Sequence, residues 1–190
     1  NVDTDQLIPA RFMSVPRAQG YGDFLLYDMR RDEAGALLTD FPLNRHPKAS
    51  VLIAGRNFGS GSSREAAVYA LVDAGFRAVI APSFGDIFAA NAVNNGLLPA
   101  RVSEADITAL ASALEAASEQ AKVDLAAGQI AIGATRAQFA LDDGWREKLI
   151  NGWDDIDLTG QHAPRIAAYQ QARAETAPWV WPKASPGGAQ

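Results

Sequence analysis

Val51-Leu52-Ile53-Ala54-Gly55, then Arg56-Asn57-Phe58-Gly59-Ser60-Gly61-Ser62-Ser63-Arg64-Glu65, then Ala66-Ala67-Val68-Tyr69-Ala70-Leu71-Val72: an apolar run, a glycine-rich turn and a second apolar stretch follow one another without a gap. The order reads as strand, turn and helix. A turn of this kind leaves backbone N–H groups unpaired at a helix N-terminus, where they attract anions. Two hydroxyls, Ser62 and Ser63, and the guanidinium of Arg64 lie in the same few residues. Arg64 can grip a carboxylate with two parallel hydrogen bonds. The stretch therefore predicts a site for a small acid.

The same alternation continues downstream. A helix is expected over residues 63–74, a strand over 78–81, a helix over 85–94 and a strand over 97–102. Pro99 places that last strand at a sheet edge or ends it. Strands alternating with helices predict an α/β fold with a mainly parallel sheet and flanking helices. Ser103 then opens an Ala/Leu-rich helix to about Gln120, with Ser103 as N-cap. Residues 123–125 and 129–132 read as a hairpin around Gly128, and two more helices fit residues 143–152 and 163–176. Residues 1–50 read as short strands and loops, with apolar runs at Leu7-Ile8 and Phe24-Leu25-Leu26-Tyr27 and a mobile turn at Gly20-Tyr21-Gly22. One domain is expected over 1–176. The Pro- and Gly-containing stretch 177–190 reads as a loosely held tail.

Bulk properties narrow the function. The chain has 190 residues, is 48% hydrophobic and carries a net charge of −5, enough for one sizeable core and the wrong sign for a typical nucleic-acid binder. No apolar run approaches the roughly 20 residues needed to span a bilayer. The polar, acidic start does not read as a signal peptide, so a cytoplasmic location is expected. There is no cysteine, which rules out a cysteine-ligated cluster in this chain. The two histidines, His46 and His162, are far apart in sequence, so no metal site is expected, and both read as surface or partly buried structural residues.

Several of these features have plainer readings. Ser62-Ser63-Arg64-Glu65 also fits a capping box, in which Ser62 bonds the helix backbone and does no chemistry. Helix caps outnumber active sites, so alone the pattern favours the cap. Gly59-x-Gly61-x-x-Arg64 mimics a dinucleotide fingerprint but lacks its third glycine, and no Gly-Lys-Ser/Thr is present for a P-loop. Asn1-Val2-Asp3-Thr4-Asp5 brings two carboxylates close enough to orient a base or a substrate hydroxyl; alone, it reads more simply as an Asx-type turn before a Leu7-Ile8 strand. Asn94-Asn95-Gly96 reads as a helix C-cap and turn. Phe84, Ile87, Phe88 and Val93 read as core.

Taken together, Asn1-Val2-Asp3-Thr4-Asp5-Gln6-Leu7-Ile8-Pro9, residues 55–65, Ala81-Pro82-Ser83-Phe84-Gly85-Asp86-Ile87-Phe88 and Asn94-Asn95-Gly96-Leu97-Leu98-Pro99 resemble, in order and spacing, the small subunits of isopropylmalate dehydratases in the aconitase superfamily. The resemblance covers most of residues 1–170. It implies a swivelling β/β/α domain that docks, as heterodimer or heterotetramer, on a large subunit. That larger partner would supply the cysteines for a four-iron, four-sulfur cluster. The reaction implied is dehydration and rehydration of a hydroxy-diacid, interconverting 2- and 3-isopropylmalate in leucine biosynthesis. By resemblance, Ser62 is the alkoxide base and Asp5 the acidic group near it, while Arg64, Ser63, Thr4 and Gly61 bind substrate. Residues 20–26 fall where the family carries a substrate-recognition loop. One departure stands out: the family commonly continues Arg-Glu with His, and here Glu65 is followed by Ala66. Two alternatives therefore stay open: a paralogous dehydratase component acting on citraconate, methylmalate or homoaconitate, and a non-catalytic anion-binding module.

Overall fold

Three short parallel strands form the centre of the first of two compact units, Asn1–Asp154 and Asp155–Gln190. The computed structural model describes residues 1–116 and 120–181. The strands are β1 (Val51–Ile53), β2 (Ala78–Ala81) and β3 (Leu98–Arg101), in spatial order β1-β2-β3. Parallel neighbours need a crossover, supplied here by helices α4 (Glu65–Asp73) and α5 (Asp86–Asn94). Pro99, which has no N–H to give, sits opposite Val79 on the edge strand β3, as expected.

Alternation along β2 divides the interior in two. Val79 and Ala81 face a core shared with Val68 and Leu71 of α4 and Phe88 and Ala92 of α5. Ala78 and Ile80 face the other way, onto Leu110, Ile130, Ile132 and Phe139. Successive side chains of a strand point to opposite faces, so a strand buried on both sides is continuously apolar. The second core lies under helix α6 (Glu104–Ala116) and an antiparallel meander of β4 (Ala121–Asp124), β5 (Gln129–Ile132) and β6 (Thr135–Gln138). The unit is thus α/β, with an antiparallel sheet, a parallel sheet and helices contributing to its two cores.

Most of the expected elements are present. The N-cap of α6 is Ser103, whose Oγ accepts from the Asp106 N–H at 3.1 Å. That helix is described to Ala116; Gln120 is irregular, and residues 117–119 of the expected span lie outside the described residues. Gly128 makes the hairpin turn with φ 65°. Helix α7 (Asp143–Asn151) is capped by Asp142, which accepts from the Gly144 and Trp145 N–H groups. The second unit holds α8 (Asp155–Gly160), α9 (Ala163–Thr176) and a 3-10 turn at Pro178–Val180. Of the expected tail, residues 182–190 lie outside the described residues.

The amino-terminal region corrects the strand expectation. Leu7 belongs to a one-turn helix, α1 (Thr4–Leu7), and Ile8 is its C-cap. Asp3 accepts from the Gln6 N–H while the Gln6 side chain accepts from the Asp3 N–H, a reciprocal box that starts a helix. Phe24-Leu25-Leu26-Tyr27 likewise forms a 3-10 turn, Gly22–Phe24, and the start of α2 (Tyr27–Arg30), with Leu26 at φ 50° between them. A further one-turn helix, α3 (Pro42–Arg45), begins on its proline. The turn at Gly20-Tyr21-Gly22 is fastened: the Tyr21 N–H donates to Asp73 and its hydroxyl to the Val15 carbonyl. Ile87 is 54% exposed and not core, because Phe88 and Ala89 turn the apolar face of α5 inward. The strand β6 and the helix α8 were not expected; both are short. His46 and His162 are exposed, as expected.

Candidate active site

The turn between β1 and α4 passes three times through the left-handed region, at Asn57 (φ 55°), Gly59 (φ 70°) and Gly61 (φ 95°). It is held from two sides. On one side stands the loop after β2. Ser83 accepts the Asn57 N–H on its hydroxyl at 2.8 Å and the Phe58 N–H on its carbonyl at 3.0 Å, and the Gly85 N–H donates to the Phe58 carbonyl at 3.0 Å. The Phe58 ring meets Phe84 and Phe88 edge-on. Gly59 rests against the Phe88 ring with no room for a Cβ.

On the other side stands the amino-terminal segment. The Gly59 N–H donates to the Val2 carbonyl at 2.7 Å and the Thr4 N–H to the Ser60 carbonyl at 2.9 Å. The Thr4 hydroxyl donates to the Ser62 carbonyl at 2.8 Å. Asp5 pairs with the Arg64 guanidinium. The two polar clusters singled out in the sequence are therefore neighbours in space, and five of the six candidate residues take part in one arrangement: Thr4, Asp5, Gly61, Ser62 and Arg64.

Ser62 does not cap the helix. Its carbonyl accepts both the Thr4 hydroxyl and the Arg64 N–H, the latter at 2.8 Å. That tight turn delays the helix to Glu65, so Arg64 occupies the N-cap position without a side-chain capping bond. Glu65 consequently stands at the first helical position rather than the third, and the expected capping box is absent. The Ser62 and Ser63 side chains are exposed, and among the described residues neither hydroxyl has a hydrogen-bond partner. Arg64 is 21% exposed at its side chain, against 54% for Asp5. Its Nη1 is shut off from solvent and makes no hydrogen bond of good angle despite the ion pair.

Thr4 is 1% exposed and commits its hydroxyl to the turn. This placement makes it a support for Ser62. Replacing Thr4 by valine, which keeps the shape, is expected to cost about 1 kcal/mol in urea denaturation. An unchanged midpoint would show that the hydroxyl contributes nothing to the turn. Beyond the capping box, sequence reasoning gave no role to Glu65, which accepts from Asn95 at 2.9 Å. Nor did it give one to Tyr69, one helical turn further on, under the Arg17 guanidinium at 3.6 Å. The i, i+4 spacing of Glu65 and Tyr69 was the available signal.

The family model for the aconitase C-terminal domain matches residues 2–105. The model for the C-terminal domain of the 3-isopropylmalate dehydratase small subunit matches residues 155–182. The 3-isopropylmalate dehydratase small subunit of Shouchella clausii is 43% identical over 176 residues, covering 92% of this chain and 89% of the relative. The chain belongs to the 3-isopropylmalate dehydratase small-subunit family. Another member, from Rhodospirillum centenum, is 44% identical over 184 residues, covering 95% of this chain and 91% of its own. Among solved structures, 3-isopropylmalate dehydratase from Methanocaldococcus jannaschii superposes with a TM-score of 0.61 at 24% identity, over 89% of this chain and 92% of that one. That likeness bears on the fold alone. The family is one of dehydratases, hydro-lyases of the aconitase type.

The residues of this small subunit do not fit an iron–sulfur cluster. It has no cysteine, and among the described residues no group of three or more His, Asp or Glu is placed to hold a metal. Among the same residues no helix is long and apolar enough to cross a membrane.

Proposed function

We propose that this chain is the small subunit of a two-part hydro-lyase interconverting 2-isopropylmalate and 3-isopropylmalate in leucine biosynthesis, in the cytoplasm. Ser62 is the base. As alkoxide it takes the proton from the carbon next to a substrate carboxylate while the hydroxyl on the adjacent carbon leaves, a net loss of water, and it returns a proton when water adds back. Arg64 binds a carboxylate through its planar guanidinium. Ser63 and the Gly61 backbone line the same place, and Asp5 orients Arg64 through their ion pair. The observation that carries this reading is the pair of free, exposed hydroxyls on a turn whose backbone is tied from both sides.

A serine hydroxyl is an extremely weak acid. Donors and positive charge around its oxygen shift the balance toward the anion. The first turn of α4 begins three residues after Ser62 and contributes its unpaired N–H groups and the positive end of its dipole. Arg64 adds a full charge. The cluster that the aconitase-type reaction uses is assigned to the large subunit.

Ala66, where the family commonly has His, favours a second reading in which the machinery is kept and the substrate differs. Its side chain is half-buried against the first core. Anaerobic turnover with the cluster-loaded large subunit, on isopropylmalate, citraconate and homoaconitate in parallel, separates the readings. Isopropylmalate is the substrate expected to turn over. Turnover of another diacid alone would replace the substrate and keep the mechanism. Silence on all three, with the cluster intact, would leave an anion-binding module.

A further inference from the structure

Arg64 stands at the leading edge of α4, two residues after Ser62, yet its side chain makes no capping bond to that helix. A side-chain tether comes instead from α5. Asn95, which ends α5, donates from Nδ2 to Glu65 Oε1 at 2.9 Å and from the same nitrogen to its own Asn91 carbonyl at 2.9 Å. Both amide hydrogens are thereby committed. The bond back to Asn91 fixes the rotamer from which the other hydrogen reaches Glu65.

The neighbouring residue secures the same turn to the body of the unit. Asn94 accepts from the buried ammonium of Lys148 on α7. Gly96, at φ 71°, lets the chain turn away into β3. On the far side of Glu65, burial first and then the Glu65 carboxylate push the Tyr69 hydroxyl above its ordinary range. An amide is well suited to such a tether. It supplies a hydrogen bond without a positive charge that would compete with Arg64 for a substrate carboxylate.

We infer that Glu65 and Asn95 are positioning residues for the dehydration: their bond holds the first turn of α4 against the end of α5 and so sets where Arg64 and Ser62 stand against the substrate. The inference rests on the roles proposed for those two residues. Neither Glu65 nor Asn95 need touch substrate; Glu65 acts through its chain neighbour Arg64. A misplacement of about 1 Å at reacting groups can cost roughly a hundredfold in rate.

The test compares the full chain, alone and with its large subunit, as wild type, Asn95→Asp, and Asn95→Asp combined with Glu65→Gln. The single variant removes the donor and sets two carboxylates face to face. The double variant restores an amide facing a carboxylate with donor and acceptor exchanged. Asn95→Asp is expected to lower kcat by about ten- to a hundredfold, by a larger factor than it raises KM. The double variant, which regains the bond between residues 65 and 95 but not the one to Asn91, is expected to recover part of that loss. In the isolated chain, amide hydrogen exchange in residues 60–68 should quicken in Asn95→Asp and return in the double variant. Unchanged exchange in the single variant, or no recovery in the double, overturns the positioning role. A wild type inactive on every diacid, together with rescued exchange, would instead reject the Ser62 reading and with it the catalytic purpose of the bond.

Discussion

Changing Ser62 to alanine is expected to lower kcat on isopropylmalate by about a thousandfold, with little change in KM and none in the melting transition. The size follows from what the hydroxyl is asked to do. Alanine has no oxygen to take the proton, and the other hydroxyls of the turn belong to Ser60, two residues before, and Ser63, one residue on. The absence of a folding penalty follows from the structure. The Ser62 side chain is exposed and has no hydrogen-bond partner among the described residues, while its carbonyl, which does support the turn, is kept in the variant. Surface substitutions of this kind usually stay within about 0.5 kcal/mol. Steady-state kinetics with the reconstituted enzyme and a thermal melt of the free chain measure the two halves separately. Activity within a few-fold of wild type would remove Ser62 as base and direct attention to Ser63. Lost activity accompanied by lost stability would mean that the hydroxyl supports the fold.

The second large effect falls on stability. Gly59→Ala is expected to cost about 2–5 kcal/mol, from left-handed backbone strain and overpacking together. At φ 70° an L-residue is strained, and a Cβ would lie 2.2 Å from Cγ of Phe88. The ring has little room to retreat, because Phe58 meets it edge-on at 5.5 Å and Phe84 stacks beside it at 6.3 Å between centroids. Gly61→Ala provides the contrast. Its φ of 95° is strained too, but a Cβ there would sit 3.5 Å from the Asp3 Cβ, an ordinary contact. It should therefore cost about 1–2 kcal/mol, the strain alone. Denaturant titration of both variants measures the difference. Equal costs would mean that the Phe58–Phe84–Phe88 cluster yields, and that the turn is less tightly seated than its contacts indicate. Gly59→Ala should also depress turnover, since the same residue donates its N–H to Val2 and links the turn to the amino-terminal segment.

Where the chain's pattern is periodic, it was readable. β2 is apolar on both faces because both faces are buried, and α4 and α5 show the length and composition of crossover helices. Where a few polar residues decide the local fold, the apolar pattern misled. Leu7 and Ile8, both fully buried, form the short apolar run that suggested a strand. The reciprocal Asp3–Gln6 bonds make a helical turn there instead. The same kind of local decision moved the start of α4. Ser-x-x-Glu at 62–65 has the letters of a capping box, but the Thr4 hydroxyl and the Arg64 N–H claim the Ser62 carbonyl and the helix begins at Glu65.

The sequence by itself determined the alternation of strand and helix, the glycine-rich turn carrying Ser62, Ser63 and Arg64, and the absence of cysteine. Each of these is carried by residues close together in the chain or by composition. Only the tertiary structure decided which groups meet. Thr4 is turned into support for Ser62 across 58 positions, Asp5 is brought onto Arg64, and Asn95 onto Glu65 across 30. The physical reason is that such pairings follow from how β1 and β2 lie side by side and where the amino-terminal segment crosses their ends. Packing of the whole interior sets those positions, and no local window of residues contains it.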